Sequence, residues 1–326
     1  MKKVFLIPLI CFFLWQIISK FPDKSVDLVV CDIGQGDAIL IQQGLFQVLI
    51  DTGPDGSVLA CLNRHLPIID KKIDVLILTH YDDDHIGGFA SIAENYQIST
   101  IFAPLTDNKE SKTFLELNRL FFDLIGQGSK LKQPILGQQM AYQHFSLDVK
   151  EPQLLFTFLT PANLEWDFLE SIRFFQAESR LPETILSVIN QKNLQNFKKK
   201  ESTNDRSIAL LLEYGQLRIF LSGDLEEEGE LGILESALID QVDILKVAHH
   251  GSKTSSTKVF LSQVRPELSL ISVGKNNKFN HPSPEVLDNL RAVFSRIVRT
   301  DQSGDIKIEL LNDKFHLVSP KNDSLQ

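Results

Sequence analysis

Four side chains that can bind metal lie close together in residues 76–88, which read LILTHYDDDHIGG. They are His80, Asp82, Asp84 and His85, and a short apolar run leads into them. Ligands so close in sequence cannot all point one way on a regular strand or helix, so a tight loop is expected. Imidazole nitrogen and carboxylate oxygen together suit zinc, manganese or iron better than calcium or magnesium. The segment therefore predicts a centre for two cations at the end of a buried strand.

Other predicted strands also end at Asp or His. LIDTG contains Asp51, SGD ends at Asp224, VAHHGS contains His249 and His250, and a further strand runs towards His281. Asp224 is predicted to be a carboxylate that bridges two metals, because it ends a strand that faces the ligand loop. On its own segment, Asp51 fits equally well an acid that orients a metal-bound histidine and a simple Asx turn. Scattered core histidines would rarely follow strand ends in this way.

The elements needed to position these residues alternate between strands and helices. Two strands in residues 25–51 precede a helix, the strand at residues 74–78 and the ligand loop. Apolar residues at helical spacing predict a helix within residues 108–125. Residues 208–221 predict a hairpin of buried strands. Between them, residues 162–203 form a predicted insertion with aromatic residues and a lysine run, which is either a helical excursion or a lid over the substrate.

Composition limits the classes of function. The chain has 326 residues, 43% of them hydrophobic, with a net charge of −9 and a pI of about 5.4. No global basic field attracts nucleic acid, so any polyanion must be held by local positive charge, including metals. The three cysteines, Cys11, Cys31 and Cys61, show no CxxC or paired framework. They are predicted to be small buried hydrophobes rather than disulfide partners.

The N-terminus predicts a membrane segment. Lys2 and Lys3 precede an almost unbroken apolar run over residues 4–18. No small-x-small cleavage site follows, so an uncleaved anchor within residues 1–24 is favoured over a cleaved signal sequence. The two lysines predict a cytoplasmic N-terminus and an exported domain over residues 25–326, anchored at the membrane, or secreted if the leader is cleaved.

Taken together, the motifs resemble one family. DIGQGDAILI, LIDTG, THYDDDHIGG, NDRS, SGDLE, KVAHHGSKTSS, ISVGKNN, HPS and RTDQSGDI are similar to the metallo-β-lactamase-like domain at the C-terminus of ComEC, the competence protein of DNA internalisation. The resemblance covers residues 26–310, with insertions at about 105–150 and 162–203. It implies an α/β fold, a four-layer αββα sandwich with two divalent metal ions, zinc or manganese, at one edge of its sheets.

The resemblance also implies roles for individual residues. The first metal is held by His80 and Asp82 and the second by Asp84 and His85, with Asp224 bridging them. The remaining site residues complete the site, orient a ligand or contact the substrate. His249 or His281 is a further metal ligand, and Asp51 orients a metal-bound histidine. Ser252, Lys253 and His250 lie near the substrate phosphate. Asp84 shares the proton of a metal-activated water, and His249, His250 or His281 protonates the leaving oxygen.

Two departures from the wider superfamily bear on the metal. Asp82 stands where a second histidine is usual, which makes the first position harder and favours manganese. The usual third histidine has no counterpart in NDRS, which offers Asn204, Asp205 and Ser207.

A single anchor cannot conduct DNA, so a separate DNA-channel protein is an expected partner.

The expected function is hydrolysis of a phosphodiester, in single-stranded DNA at the outer face of the membrane. A small-molecule hydrolase acting on a lactone or phosphoester would use the same ligands, and the acidic pI keeps that alternative open. The second alternative is a non-catalytic module that binds DNA or a channel partner.

Overall fold

Short strands form two mixed sheets in the computed structural model, which describes residues 25–104, 111–143, 152–159 and 204–318. In spatial order the first sheet contains β15 (Lys314–Leu317), β14 (Ile306–Leu311), β1 (Val26–Val30), β2 (Ile39–Gln43), β3 (Phe46–Ile50), β4 (Lys72–Ile77), β5 (Gln97–Phe102) and β6 (Lys130–Lys132). The second contains β13 (Arg296–Arg299), β12 (Leu268–Ile271), β11 (Ile244–Lys246), β10 (Leu217–Leu221), β9 (Ala209–Tyr214), β8 (Leu154–Leu159) and β7 (Gln139–Tyr142).

Helices cover the outer faces of both sheets. In chain order they are α1 (Ser57–His65), α2 (Asp83–Ile86), α3 (Phe89–Asn95), α4 (Lys112–Gly126), α5 (Glu227–Glu235), α6 (Lys258–Val264), α7 (Pro284–Ala292) and α8 (Thr300–Ser303), with 3-10 turns at Asn204–Arg206 and Ala248–Gly251. Several begin at side-chain caps that the sequence supplies. Ser111 accepts a hydrogen bond from the Phe114 amide, and Ser283 accepts one from Val286 with Pro284 at the first helical position.

Three apolar layers hold the elements together. The largest lies between the sheets and contains, for example, Ile41, Phe156 and Ile308. A second packs α1, α3 and α4 on the first sheet, and a third packs α5, α6 and α7 on the second. β14 shows the alternation that this arrangement requires, since every second residue is buried. The predicted four-layer αββα sandwich is confirmed.

The parallel strands of both sheets bring their carboxyl ends to one edge. In the first sheet β3, β4 and β5 are parallel, and in the second β10, β11 and β12 are parallel. Chain segments that leave these ends therefore meet over one cleft, which is where α/β proteins place ligands. The residues predicted from strand ends lie on these segments.

A disulfide corrects the prediction made for the cysteines. Cys31, just after β1, is bonded to Cys61 in α1. Both residues are fully buried, so the expectation of burial is correct and the expectation of free thiols is wrong. A separation of 30 residues with no framework motif gave no signal of the pairing, which depends on α1 packing across the end of β1.

Some predicted features lie outside the described residues, namely the N-terminal segment 1–24 and the insertion 162–203. Of the other predicted insertion, residues 111–143 form α4, β6 and β7 and so contribute to both sheets.

In the part of the chain that the structure describes, no helix combines the length and the apolar character needed to cross a membrane.

Candidate metal centre

The predicted ligand loop follows β4 and turns at once into α2. His80 and His85 are buried at 3% and 0% exposure, whereas the side chains of Asp82 and Asp84 are about one-third exposed. The loop therefore turns its imidazoles inward and its carboxylates towards the cleft. It is held from below by Gly36, whose φ is +130° and where a Cβ would lie 2.1 Å from the carbonyl oxygen of Asp84. Only glycine permits this approach.

Asp224, at the end of β10, is the meeting point of the site. Its Oδ2 atom lies 3.3 Å from Nε2 of His85, 3.7 Å from that of His250, 3.8 Å from that of His80 and 3.9 Å from that of His249. Its Oδ1 atom is buried and makes no hydrogen bond to any described residue. A buried carboxylate that is ringed by imidazole nitrogens is suited to lie between cations.

His85 is oriented by Asp51, at the end of β3. Nδ1 of His85 lies 2.7 Å from Oδ2 of Asp51, which also accepts a hydrogen bond of 2.7 Å from the hydroxyl of Thr79. The amide of Thr79 donates to the other oxygen, Oδ1, also at 2.7 Å. The bond between His85 and Asp51 fixes the ring and directs Nε2 towards Asp224. Nε2 is buried and forms no hydrogen bond within the described residues. Asp51 thus occupies the place expected of an acid that orients a metal-bound histidine.

His250, after β11, is held in the same way as His85, through its Nδ1 atom, but by different partners. Its Nδ1 atom donates to the carbonyl oxygen of Ser272 at 2.9 Å and lies 3.4 Å from Oδ1 of Asp37. Its Nε2 atom lies 3.3 Å from Oδ2 of Asp84 and, among the described residues, has no hydrogen-bond partner. The lone pair of Nε2 is therefore directed at the same space as Asp84 and His85.

The backbone around His250 departs from regular geometry. His249 and His250 have φ values of 48° and 54°, in the left-handed region that residues other than glycine rarely adopt. Such a conformation costs about 1–3 kcal/mol per residue and is concentrated at functional sites. Here it turns two adjacent imidazoles towards Asp224, which a strand or a right-handed helix would not do.

The electrostatics of the site favour bound positive charge. Asp37, Asp51 and Asp224 are each no more than 2% exposed. Burial disfavours a charged imidazole at His250, but Asp224 and Asp37 outweigh it and raise the pKa of His250 to about 10. Burial is likewise outweighed at His85, where Asp224 and Asp51 hold the pKa well above its ordinary value. Three buried carboxylates thus draw cations into the cleft, as protons or as metal.

Ligand atoms within 4.8 Å of one another define which residues can share an ion. Two such groups in this cleft are His80 with His85 and Asp224, and Asp84 with His85 and His250. The groups found here among the described residues include neither Asp82, His249 nor His281. Asp82 nevertheless lies next to the first group, with Oδ1 3.8 Å from Nε2 of His80.

The remaining predicted residues lie around the rim. His249 is one-quarter exposed, and its Nδ1 atom lies 3.3 Å from Oε1 of Glu226. The ring of His281 is 5.7 Å from that of His249, between centroids, and burial lowers the pKa of His281 to about 4. Ser252 is buried and its hydroxyl is bonded to that of Thr254 at 2.9 Å, and Lys253 is exposed.

NDRS has a structural role in place of the absent histidine. Asp205 accepts hydrogen bonds from the amides of Glu226 and Gly229 at 3.1 and 2.9 Å and so caps α5. Ser207 lies under the site, with its hydroxyl 3.4 Å from Nδ1 of His80. The amide of Asp224 donates to the same hydroxyl at 3.3 Å.

Sequence reasoning missed a buried ion pair behind the site. Nζ of Lys246, in β11, lies 2.7 Å from Oδ2 of Asp37, and the two side chains are 0% and 2% exposed. Burial alone would raise the pKa of Asp37, but the charges of Lys246 and His250 outweigh it and hold that pKa below its usual range. The available signal was a lysine inside an apolar strand, which requires an acidic partner.

Comparison of the sequence with known protein families identifies the class of protein to which this site belongs. Residues 31–275 match the metallo-beta-lactamase superfamily, and the chain belongs to that superfamily. Its fold is that of metal-dependent hydrolases and implies divalent metal ions. The donor set fits such ions, because imidazole nitrogens and a carboxylate oxygen converge while buried and without hydrogen bonds among the described residues.

Several relatives of the chain are ComEC-type competence proteins, which confirms the resemblance drawn from the motifs. ComE operon protein 3 of Bacillus subtilis (strain 168) is 28% identical over 310 residues, which are 89% of this chain and 33% of that protein. Recombination protein 2 of Haemophilus influenzae is 27% identical over 318 residues, 95% of this chain and 32% of that protein. The chain thus spans about a third of the length of these relatives.

A solved structure supports the fold alone. The metallo-beta-lactamase fold protein YhfI from Bacillus subtilis superposes with a TM-score of 0.50 at 13% identity, over 86% of this chain and 99% of that protein.

Proposed function

We propose that this domain is a metal-dependent phosphodiesterase that cleaves single-stranded DNA at the outer face of the membrane during DNA uptake. The observation that carries the proposal is the convergence of Asp84, His85, His250 and Asp224 at the strand ends. The competence proteins among the relatives support the choice of substrate.

The side chains of this cluster form two proposed metal positions. Asp84, His85 and His250 form one position, and His80 with Asp82 forms the other, with Asp224 shared between them. When bound, zinc or manganese lowers the pKa of a water molecule and offsets the charge that develops on the attacked phosphoryl group. His250 takes the place that we predicted for His249 or His281, because its Nε2 atom is buried within the cluster.

The surrounding side chains hold or move protons. Asp51 and the carbonyl of Ser272 hold the imidazoles of His85 and His250 by their Nδ1 atoms. Asp84 is partly exposed to the cleft and is placed to accept a proton from the attacking water. His249 is also partly exposed, and Glu226 beside its Nδ1 atom holds the ring so that it can donate a proton to the leaving oxygen.

Two further features support an exported, membrane-bound domain. Disulfides form and persist in oxidising compartments and are rare in the cytosol, so the Cys31–Cys61 bond favours a position outside the cytoplasm. The apolar segment within residues 1–24 supplies the anchor in this proposal. A separate DNA-channel protein is the proposed partner.

The test is cleavage of end-labelled single-stranded DNA by the purified protein with manganese or zinc. We expect the variant Asp84→Asn to lose at least about 100-fold in rate, because even residues behind a metal ligand typically contribute 10–100-fold. The variant Asp288→Asn serves as the matched control, since that side chain is 73% exposed on α7. Absence of cleavage with every divalent metal, or undiminished cleavage by Asp84→Asn, would rule out the nuclease.

A small-molecule hydrolase is the second candidate, and the acidic pI of about 5.4 favours it. Turnover of bis-p-nitrophenyl phosphate, lactones and DNA under one set of conditions separates the two. A specificity constant for DNA below that for a lactone or a small phosphoester would favour this candidate.

A further inference from the structure

An exposed aromatic ring stands beside the metal centre on the loop that follows β12. Phe279 is 64% exposed, although its neighbours on the loop hold it in place. Its ring is stacked on that of His281, with centroids 5.5 Å apart and planes inclined by 28°. Since His281 covers one face of the phenyl ring, the exposed area includes the other face.

The loop that carries Phe279 is rigidly built. The side chain of Asn277 accepts hydrogen bonds from the amides of Phe279 and His281 at 3.1 and 2.9 Å. It also donates to the carbonyl oxygens of Gly274 and His281 at 3.0 and 2.8 Å. One side chain thus ties both ends of the loop together, so little conformational entropy remains to be lost when a ligand binds Phe279.

A series of rings connects this loop to the centre. His281 contacts His249 edge to face at 5.7 Å, and His249 has its Nε2 atom 3.9 Å from Asp224. A planar group stacked on the open face of Phe279 would therefore lie at the rim of the cleft, separated from Asp224 by the rings of Phe279, His281 and His249.

The same loop is basic, although the whole chain is acidic. Lys275 and Lys278 are both exposed. Lys253 is exposed on the neighbouring turn, which is joined to the loop through the hydrogen bond from the amide of Ser283 to the carbonyl of Gly251, at 2.8 Å. Against a net charge of −9, this local positive charge is suited to a phosphate backbone.

We propose that Phe279, with Lys275 and Lys278, forms a stacking platform that holds a base of single-stranded DNA at the rim of the cleft that contains the metal centre. An aromatic face flanked by lysines is the combination that binds single strands without reading their sequence. The assignment of DNA as the ligand rests on the proposed function, whereas the platform itself rests on this loop.

The test measures binding separately from cleavage. The full chain is titrated, without divalent metal, into a single-stranded oligonucleotide that carries 2-aminopurine, whose fluorescence falls when the base stacks. We expect Phe279→Ala to weaken binding by about 5- to 150-fold, the range found for loss of one stacked base. Phe279→Trp retains a ring and should retain binding and quenching.

A matched control is Phe294→Ala, because Phe294 is 94% exposed but precedes β13, at the opposite edge of the sheet. Equal weakening by this control, or binding by Phe279→Ala within about twofold of the parent protein, overturns the platform. Binding that depends on Phe279 without cleavage under any metal overturns the nuclease and leaves the platform in place. Absence of both binding and cleavage overturns both proposals.

Discussion

Replacement of Lys246 by Met tests the structural support of the metal centre. The substitution removes the only charge within hydrogen-bond distance of Asp37 Oδ2 in the described part of the chain, and methionine fills a similar volume. Asp37 would then be a buried carboxylate at 2% side-chain exposure with no ion-pair partner except the imidazole of His250. Removal of one partner from such a pair typically costs about 3–5 kcal/mol, because the other charge stays buried.

That cost is a large fraction of the stability of a typical domain, which is about 5–15 kcal/mol. We expect the melting temperature at pH 7 to fall by on the order of 10 °C, as measured by circular dichroism or calorimetry. The double variant Asp37→Asn with Lys246→Met removes the stranded charge and should recover part of that loss.

Two results would refute this reasoning. Lys246→Met melting within about 2 °C of the parent protein would show that the pair contributes little. A double variant that melts no higher than Lys246→Met would show that the cost does not arise from the unpaired carboxylate.

Three further predictions concern other parts of the molecule. Burial raises the pKa of Glu230 from 4.5 to about 7, so the folded protein keeps a proton that the unfolded chain releases. The stability of the parent protein should therefore fall relative to Glu230→Gln as the pH rises from about 4.5 to 7, by about 3 kcal/mol in urea titrations, and parallel pH profiles would contradict this. The disulfide closes a loop of 30 residues and so lowers the conformational entropy of the unfolded chain. Replacing Cys31 and Cys61 together by Ala should therefore lower the free energy of unfolding by about 3.5 kcal/mol in the same titrations. A loss below about 1 kcal/mol would show that restriction of the unfolded chain contributes little. Asp51→Asn should weaken zinc binding by about 10- to 100-fold in competition with a chelator, and an unchanged affinity would show that Asp51 does not support His85.

The sequence predicts the site well where a ligand directly follows an apolar strand. His80 and Asp224 follow strand ends of that kind, His85 lies in the short helix α2 after the first of them, and the structure brings all three together. The reason is physical, because buried parallel strands must align and their carboxyl ends then share one edge. The four-layer arrangement follows from the same alternation of strands and helices.

Sequence reasoning gave no means of choosing between His249 and His250. The two residues are adjacent, and the left-handed backbone at both decides which imidazole is buried. The partners of Asp37 and of the two cysteines were equally out of reach, since Lys246 lies 209 residues from Asp37 and Cys61 lies 30 from Cys31. Such contacts depend on how the sheets pack, which no local pattern records.

The pairing of β1 with β14 has a consequence for how the chain is made. Val26 lies opposite Leu310, so the first strand acquires one of its two neighbours only when nearly the whole domain has left the ribosome. Until then, a fully buried strand of five residues presents an open edge, which is a site for aggregation. A chain that stops before residue 306 would keep that edge open permanently. We therefore expect late truncations to make the protein insoluble, even though they spare every residue of the metal centre.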